Sequence, residues 1–147
     1  MPVAKIVILN WNGAEHLRRF LPSVVAAAPA GVEVMVADNG STDDSLRVLA
    51  TEFPSVGVLR LEANYGFAGG YNRALKQVEA DYYLLLNSDI ETPEGWLAPI
   101  LDVLEREPDV AVVSPKLISW TDRTKFEYAG ASGGFIDFLG YPFCRGR

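Results

Sequence analysis

The sequence predicts an α/β fold, a mainly parallel sheet covered by helices on both faces. Short β-branched apolar runs alternate with longer amphipathic stretches along the chain. The short runs are apolar at both parities, as strands buried on both faces must be. Several of them stop abruptly at polar residues, which marks one end of the sheet as something other than core. With 147 residues the chain has the usual size of one domain and buries a core without disulfide or metal staples.

Taken in order, "AKIVILNW" (4–11) reads as a buried strand. "AEHLRRFLPSVVAAA" (14–28) sets Leu17, Phe20, Leu21, Val24 and Val25 at helical spacing. "VEVMVAD" (32–38) is a second strand, and "STDDSLRVLATEF" (41–53) a helix with Ser41 and Asp44 placed as a capping box. "VGVLRL" (56–61) is a third strand and "FAGGYNRALKQVEA" (67–80) a third helix. "YYLLL" (82–86) is a fourth strand. The stretch 92–107 reads as a fourth helix with Thr92 as N-cap and Pro93 at the first helical position, although Pro99 requires a later start or a kink. "VAVVSP" (110–115) is a fifth strand.

Parallel crossovers are right-handed, so the carboxyl ends of all these strands open on one edge, where ligands of such sheets bind. The polar interruptions fall there: Asn10-Trp11-Asn12, Asp38-Asn39-Gly40 and Asn87-Ser88-Asp89. The net charge of −6, from 13 basic and 19 acidic residues, argues against a nucleic-acid partner. An anionic small ligand would need a local remedy, such as a metal ion or a helix N-terminus. The one cysteine, Cys144, excludes a disulfide framework within the chain. The apolar run at the N-terminus is too short for a signal peptide or a membrane span, so the expected setting is cytoplasmic, compatible with a peripheral place at the inner face of the membrane in a longer protein.

Each polar stretch admits two readings. Asp38 ends a strand, where a carboxylate accepts hydrogen bonds from a ribose hydroxyl or a pyrimidine N–H, or it caps the turn that follows. Asp43 and Asp44 fit the first turn of a helix and favour its dipole. In "NYGFAGGYNRAL" (64–75) the glycines Gly66, Gly69 and Gly70 allow close backbone approach to a ligand. The spacing matches neither a dinucleotide fingerprint nor a phosphate-binding P-loop; Asn72 and Arg73 are candidate site groups, and Arg73 reads equally as a surface charge. Asp89, beside an amide and a hydroxyl, suits a Mg²⁺–diphosphate site or a simple helix-entry turn. His16, flanked on its helix by charged residues, reads as a surface residue.

Together these stretches resemble the inverting family-2 glycosyltransferases of GT-A fold. The resemblance runs from about residue 3 to 115, through "VILNWNG", "VADNGSTDDS", "NYGFAGGYNRAL" and "LLLNSDIE". The wording of "NWNG" and "GFAGGYN" is most similar to the rhamnosyltransferase-like branch that builds bacterial surface polysaccharides. It implies a nucleotide-diphosphate-sugar donor of UDP or dTDP type and a saccharide or lipid-linked acceptor. By resemblance Asn10 and Trp11 line the nucleoside, Asp38 binds base or ribose, and Gly66 to Asn72 run along ribose and diphosphate. Asn87, Ser88 and Asp89 occupy the place of the D-x-D motif. The first aspartate of that motif is Asn87 here, so Mg²⁺ or Mn²⁺ binding would rest on Asp89.

On this reading residues 1–115 form the nucleotide-sugar-binding domain and 116–147 begin an incomplete acceptor-side region. The family's catalytic base follows the fifth strand, and Asp122, Glu127 and Asp137 sit in no matching motif. The base is therefore expected beyond Arg147, in a chain that continues. The aromatic tail predicts self-association. Two rivals fit less well. A response-regulator receiver wants acidic residues where Asn10 and Asn12 stand, and a nucleotidyltransferase wants a glycine-rich basic loop after the first strand. A non-catalytic nucleotide-binding or regulatory module remains the alternative.

Overall fold

The structure, a computed structural model, describes residues 4–127 and 134–144. The chain divides into two compact units, Met1–Leu97 and Ala98–Arg147. The first unit holds β1 (Ala4–Asn10), α1 (Ala14–Ala27), β2 (Glu33–Asp38), α2 (Ser45–Glu52), β3 (Gly57–Arg60), α3 (Gly66–Leu75) and β4 (Tyr82–Asn87). Its sheet has the order β3-β2-β1-β4, and all three pairings are parallel. The register brings Asn10 opposite Asp38 and Leu9 opposite Asn87, so three strands end level with one another. The expected α/β architecture is present, with the polar strand ends along one edge.

Alternation within the strands assigns the two faces. Val7, Met35 and Ala37 point to one side, where they form a buried cluster with Tyr71, Ala74 and Val78 from α3 and the turn after it. Ile6, Ile8 and Val36 have the opposite parity and are equally buried. The buried stripes of α1 (Leu17, Phe20, Leu21, Val24) and α2 (Val48, Leu49) belong to that side. Pro22 lies inside α1, where its missing N–H costs one helical hydrogen bond. Burying a side chain such as Leu17 or Leu21 is worth about 1.5–3 kcal/mol, which offsets that loss.

Four boundaries differ from expectation. The capping box does not form: α2 starts at Ser45 with no side-chain cap, because Ser41 is engaged by the loop after β1. α3 ends at Leu75 instead of residue 80, closed by a turn in which the Gln77 N–H donates to Ala74 O. Thr92 is not a helix cap. Its N–H donates to Ser23 Oγ, and the fourth helix, α4 (Ala98–Arg106), starts six residues later with Pro99 in its first turn. There the proline's missing N–H costs nothing. Residues 110–115 are not a strand, since they gain no ladder partner among the described residues and Val112 is 83% exposed.

The second unit holds α4 and a small antiparallel pair, β5 (Gly134–Ile136) with β6 (Pro142–Cys144), across which Phe135 stacks on Phe143. Of the aromatic tail, Tyr128 lies outside the described residues. No helix among the described residues is long and apolar enough to cross a membrane.

One backbone contact fixes how β2 hands over to the site. Gly40 has φ +75°, and a Cβ there would lie 2.6 Å from the carbonyl carbon of Ala63. Gly40→Ala therefore combines a left-handed alanine with a backbone clash. It should cost at least about 2 kcal/mol, read as a lower urea midpoint; an unchanged midpoint would contradict the close packing.

Candidate functional site

The loop after β1 is built residue by residue. Asn10, the last strand residue, points inward and is completely buried. Its Nδ2 donates to Asp38 Oδ1 (3.2 Å) and to Ser41 Oγ (3.2 Å), while its Oδ1 accepts no hydrogen bond. Trp11, next in sequence, turns outward and is 56% exposed. Asn12 takes φ +49°, a left-handed conformation that asparagine tolerates. From there its Oδ1 accepts the N–H groups of Thr42 (2.7 Å) and Asp43 (3.3 Å), and its own N–H donates to Ser41 Oγ (2.9 Å). Gly13 is required by space, since a Cβ would sit 2.3 Å from Asn10 Oδ1.

The loop after β2 answers these groups. Asp38 Oδ2 accepts the Ser41 N–H (3.0 Å), the turn expected of an Asx residue. Ser45 Oγ accepts the Gly13 N–H, and Asp43 Oδ2 accepts the Ala14 N–H (3.0 Å), so Asp43 caps the start of α1 as well as its own turn. Asn39 reaches the other way. Its Nδ2 donates to Asn64 Oδ1 (3.0 Å) and Gly66 O (3.1 Å), and its Oδ1 accepts the Tyr65 N–H (3.1 Å). Gly70 lets α3 press against β1: a Cβ would lie 2.9 Å from a Leu9 methyl and 3.0 Å from Asn39 Nδ2.

Tyr71 closes the gap between β1 and β4. Its hydroxyl donates to Leu86 O (3.0 Å) and accepts from the Leu9 N–H (3.4 Å). Burial pushes the phenol above its ordinary pKa against the lowering effect of the Leu9 N–H, which keeps it a neutral donor.

These loops enclose an open cleft of about 380 Å³ at the carboxyl ends of β1, β2 and β4. Among the residues expected at a site, Trp11, Gly66, Asn87, Ser88 and Asp89 line it. Asn10 and Asp38 lie behind the lining, buried and bonded to each other. Asn72 is exposed on α3 and is not among the lining residues. The cleft is also lined by Asn39 and Asn64, which the sequence reading did not single out, and by Phe67 from the Gly66–Asn72 segment that it did, 66% exposed and edge-on to Tyr71. The sequence reading missed His16, which lines the cleft from α1. Its charged neighbours mark His16 as exposed but do not show what it faces.

Among the described residues no three potential metal ligands cluster. One carboxylate beside the neutral oxygens of Asn87 and Ser88 nevertheless suits a hard cation, if a ligand's phosphates complete the coordination.

Residues 5–139 match the family Glycosyl transferase family 2. The chain belongs to this family. It is 29% identical, over 124 residues, to an N-acetylglucosaminyl-diphospho-decaprenol L-rhamnosyltransferase of Mycobacterium tuberculosis, covering 77% of this chain and 40% of that protein. Among solved structures it is similar to S. aureus TarS 1-349 in complex with UDP-GlcNAc (TM-score 0.62, 22% identity, 79% of this chain and 38% of that one). It is also similar to the mannosyltransferase PcManGT of Pyrobaculum calidifontis in complex with GDP-Man and Mn²⁺ (TM-score 0.60, 21% identity, 80% and 35%). The fold is thus that of the GT-A glycosyltransferases, as the motifs imply. The chain spans between about one fifth and two fifths of the length of the curated relatives it matches.

Asp43 yields a pH prediction. Burial raises its pKa, but hydrogen bonds from Ser45 and the Ala14 N–H outweigh that and leave the carboxyl below its ordinary value. A lowered folded pKa adds stability that is present above the unfolded value, about 3.9, and is lost as pH falls through the folded one. Parent protein should therefore exceed Asp43→Asn in urea midpoint at pH 6, with the gap closing below pH 4. A gap constant down to pH 2.5 would remove Asp43 from the loop network.

Proposed function

We propose that this family-2 chain carries the donor-binding part of a glycosyltransferase. The enzyme moves a sugar from a nucleotide-diphosphate sugar of UDP or dTDP type to a saccharide or lipid-linked acceptor, with inversion. The observation that carries the reading is the cleft at three strand ends, which sets an exposed indole at Trp11 near amides, a hydroxyl and the single carboxylate of Asp89. The relatives support it, since the mycobacterial protein is a rhamnosyltransferase on a lipid-diphosphate acceptor by its name.

In this reading Trp11 offers a flat apolar face to the nucleoside, and Asn64 and the backbone at Gly66 meet ribose and diphosphate. Asn87 and Ser88 hydrogen-bond hydroxyls of the ribose or the sugar. Asp38 and Asn10 hold the wall behind the nucleoside, so that the loop groups are preorganised before ligand arrives. Transfer is a single displacement. The acceptor oxygen bonds to the anomeric carbon, the bond from that carbon to the diphosphate oxygen breaks with its electron pair, and the acceptor proton passes to a base. Asp89, with Asn87 and Ser88 beside it, would hold Mg²⁺ or Mn²⁺ together with the donor's phosphates. Bound there, the cation neutralises charge on the departing diphosphate.

A thermal-shift titration with UDP, dTDP, GDP, ADP and NAD, with and without Mn²⁺, tests the assignment. A ligand at a hundred times its dissociation constant adds about 2.7 kcal/mol, a rise of roughly 5–11 °C for a domain of this size. UDP or dTDP should give a metal-dependent rise. Asp89→Ala should abolish the metal dependence, and Asp38→Ala should weaken nucleotide binding about tenfold or more by loosening the wall. If both variants bind nucleotide and metal like the parent, the site is elsewhere.

A further inference from the structure

Three observations single out His16. It is the third residue of α1, and its side chain lines the cleft shared with Asn87, Ser88 and Asp89. Its backbone is fixed, because the start of α1 is tied down on both sides: Gly13 N–H donates to Ser45 Oγ and Ala14 N–H to Asp43 Oδ2. The ring leans on Phe20, with centroids 6.2 Å apart and planes at 60°. The imidazole is thus held beside the cleft instead of trailing from a mobile loop.

The second observation is charge. The chain carries a net −6, and the ionisable side chains among the described lining residues are Asp89 and His16. No lysine or arginine is among those lining residues. Nearby guanidinium groups are occupied elsewhere: Arg18 bridges Glu15 and Glu52, and Arg73 lies 3.8 Å over the Tyr65 ring. A diphosphate entering this cleft meets one carboxylate of its own sign and one imidazole with a ring N–H to donate.

The third observation concerns the helix itself. The first turn of a helix favours negative groups, and a cation there opposes the macrodipole. At position three of α1 an imidazole places its ring N–H beside the helix terminus, so that ring and terminus both present donors to an anion in front of them.

We propose that His16 binds the donor's diphosphate, donating a ring N–H to a phosphate oxygen. The inference rests on the cleft being the donor site. It divides the cleft between a nucleoside end at Trp11 and a phosphate region bounded by His16 on one side and Asn87, Ser88 and Asp89 on the other.

Calorimetric titration of UDP-glucose and dTDP-glucose, each beside its parent nucleoside and all with Mn²⁺, separates the possibilities. The variants are His16→Ala and His16→Lys, with urea midpoints recorded as a check on folding. His16→Ala should weaken the tighter-binding nucleotide sugar about ten- to a hundredfold, the range of a charge-assisted hydrogen bond. It should leave that sugar's nucleoside unchanged, and His16→Lys should restore most of the loss. An equal loss for nucleotide sugar and nucleoside would make His16 a packing residue on Phe20 and overturn the proposal, as would unchanged nucleotide-sugar binding in His16→Ala. If neither the sugars nor the nucleosides bind the parent protein, the donor-site reading fails and this one falls with it. If a nucleoside binds and its nucleotide sugar binds no tighter, only the phosphate role is lost.

Discussion

Asn10 and Asp38 face each other in register at the ends of two parallel strands, and the bond between amide and carboxylate holds the loops of the cleft in place. A buried carboxylate without partners is costly. Here Asp38 takes the Asn10 amide on one oxygen and the Ser41 N–H on the other, so the β1 and β2 loops are satisfied by each other. Ser41 then receives both the Asn10 amide and the Asn12 N–H. Asn39, one residue further on, repeats the device toward the loop before α3. The result is a set of buried asparagines, an aspartate and a serine that fix the backbone and leave Trp11, Phe67 and the residues after β4 pointing out. Preorganisation of this kind lets a small acidic domain offer a ligand site without a large apolar pocket.

Much of this was legible before any coordinates. Apolar runs ending in Asn10, Asp38 and Asn87 told both the parallel sheet and the edge at which the cleft opens, because a strand interior leaves a polar side chain no partner. Asp89 followed from the same logic, and Trp11 from the family resemblance. Other features were hidden because their cause is distant in sequence. Ser41 has the look of a helix cap, yet its hydroxyl is taken by groups about 30 residues earlier, and α2 starts four residues late. Asn39 stood among the polar strand-end residues, and only the return of residues 64–66 shows that its amide is the tie between two loops.

The failures after β4 have a different origin. "VAVVSP" has the composition of a strand, but composition states a wish for burial, and a strand also needs a neighbour with a free edge. Among the described residues it pairs with no strand. Thr92 and Pro93 carry helix-start chemistry, yet the Thr92 N–H is already bonded to Ser23, and the helix begins where Pro99 can occupy its first turn. His16 is the subtlest case. Its charged neighbours gave its exposure correctly, whereas its place on the cleft depends on loops after β3 and β4 that line the same cleft.

The most direct test of the central claim is a heteronuclear NMR titration of the chain with UDP-glucose and Mg²⁺, following the side-chain signals of its three tryptophans and the backbone amides. The account predicts saturable shifts of the Trp11 indole and of amides in 64–67 and 87–89, with the Trp120 indole unmoved. Saturable shifts centred on Trp120 and residues 134–144, with Trp11 silent, would contradict it.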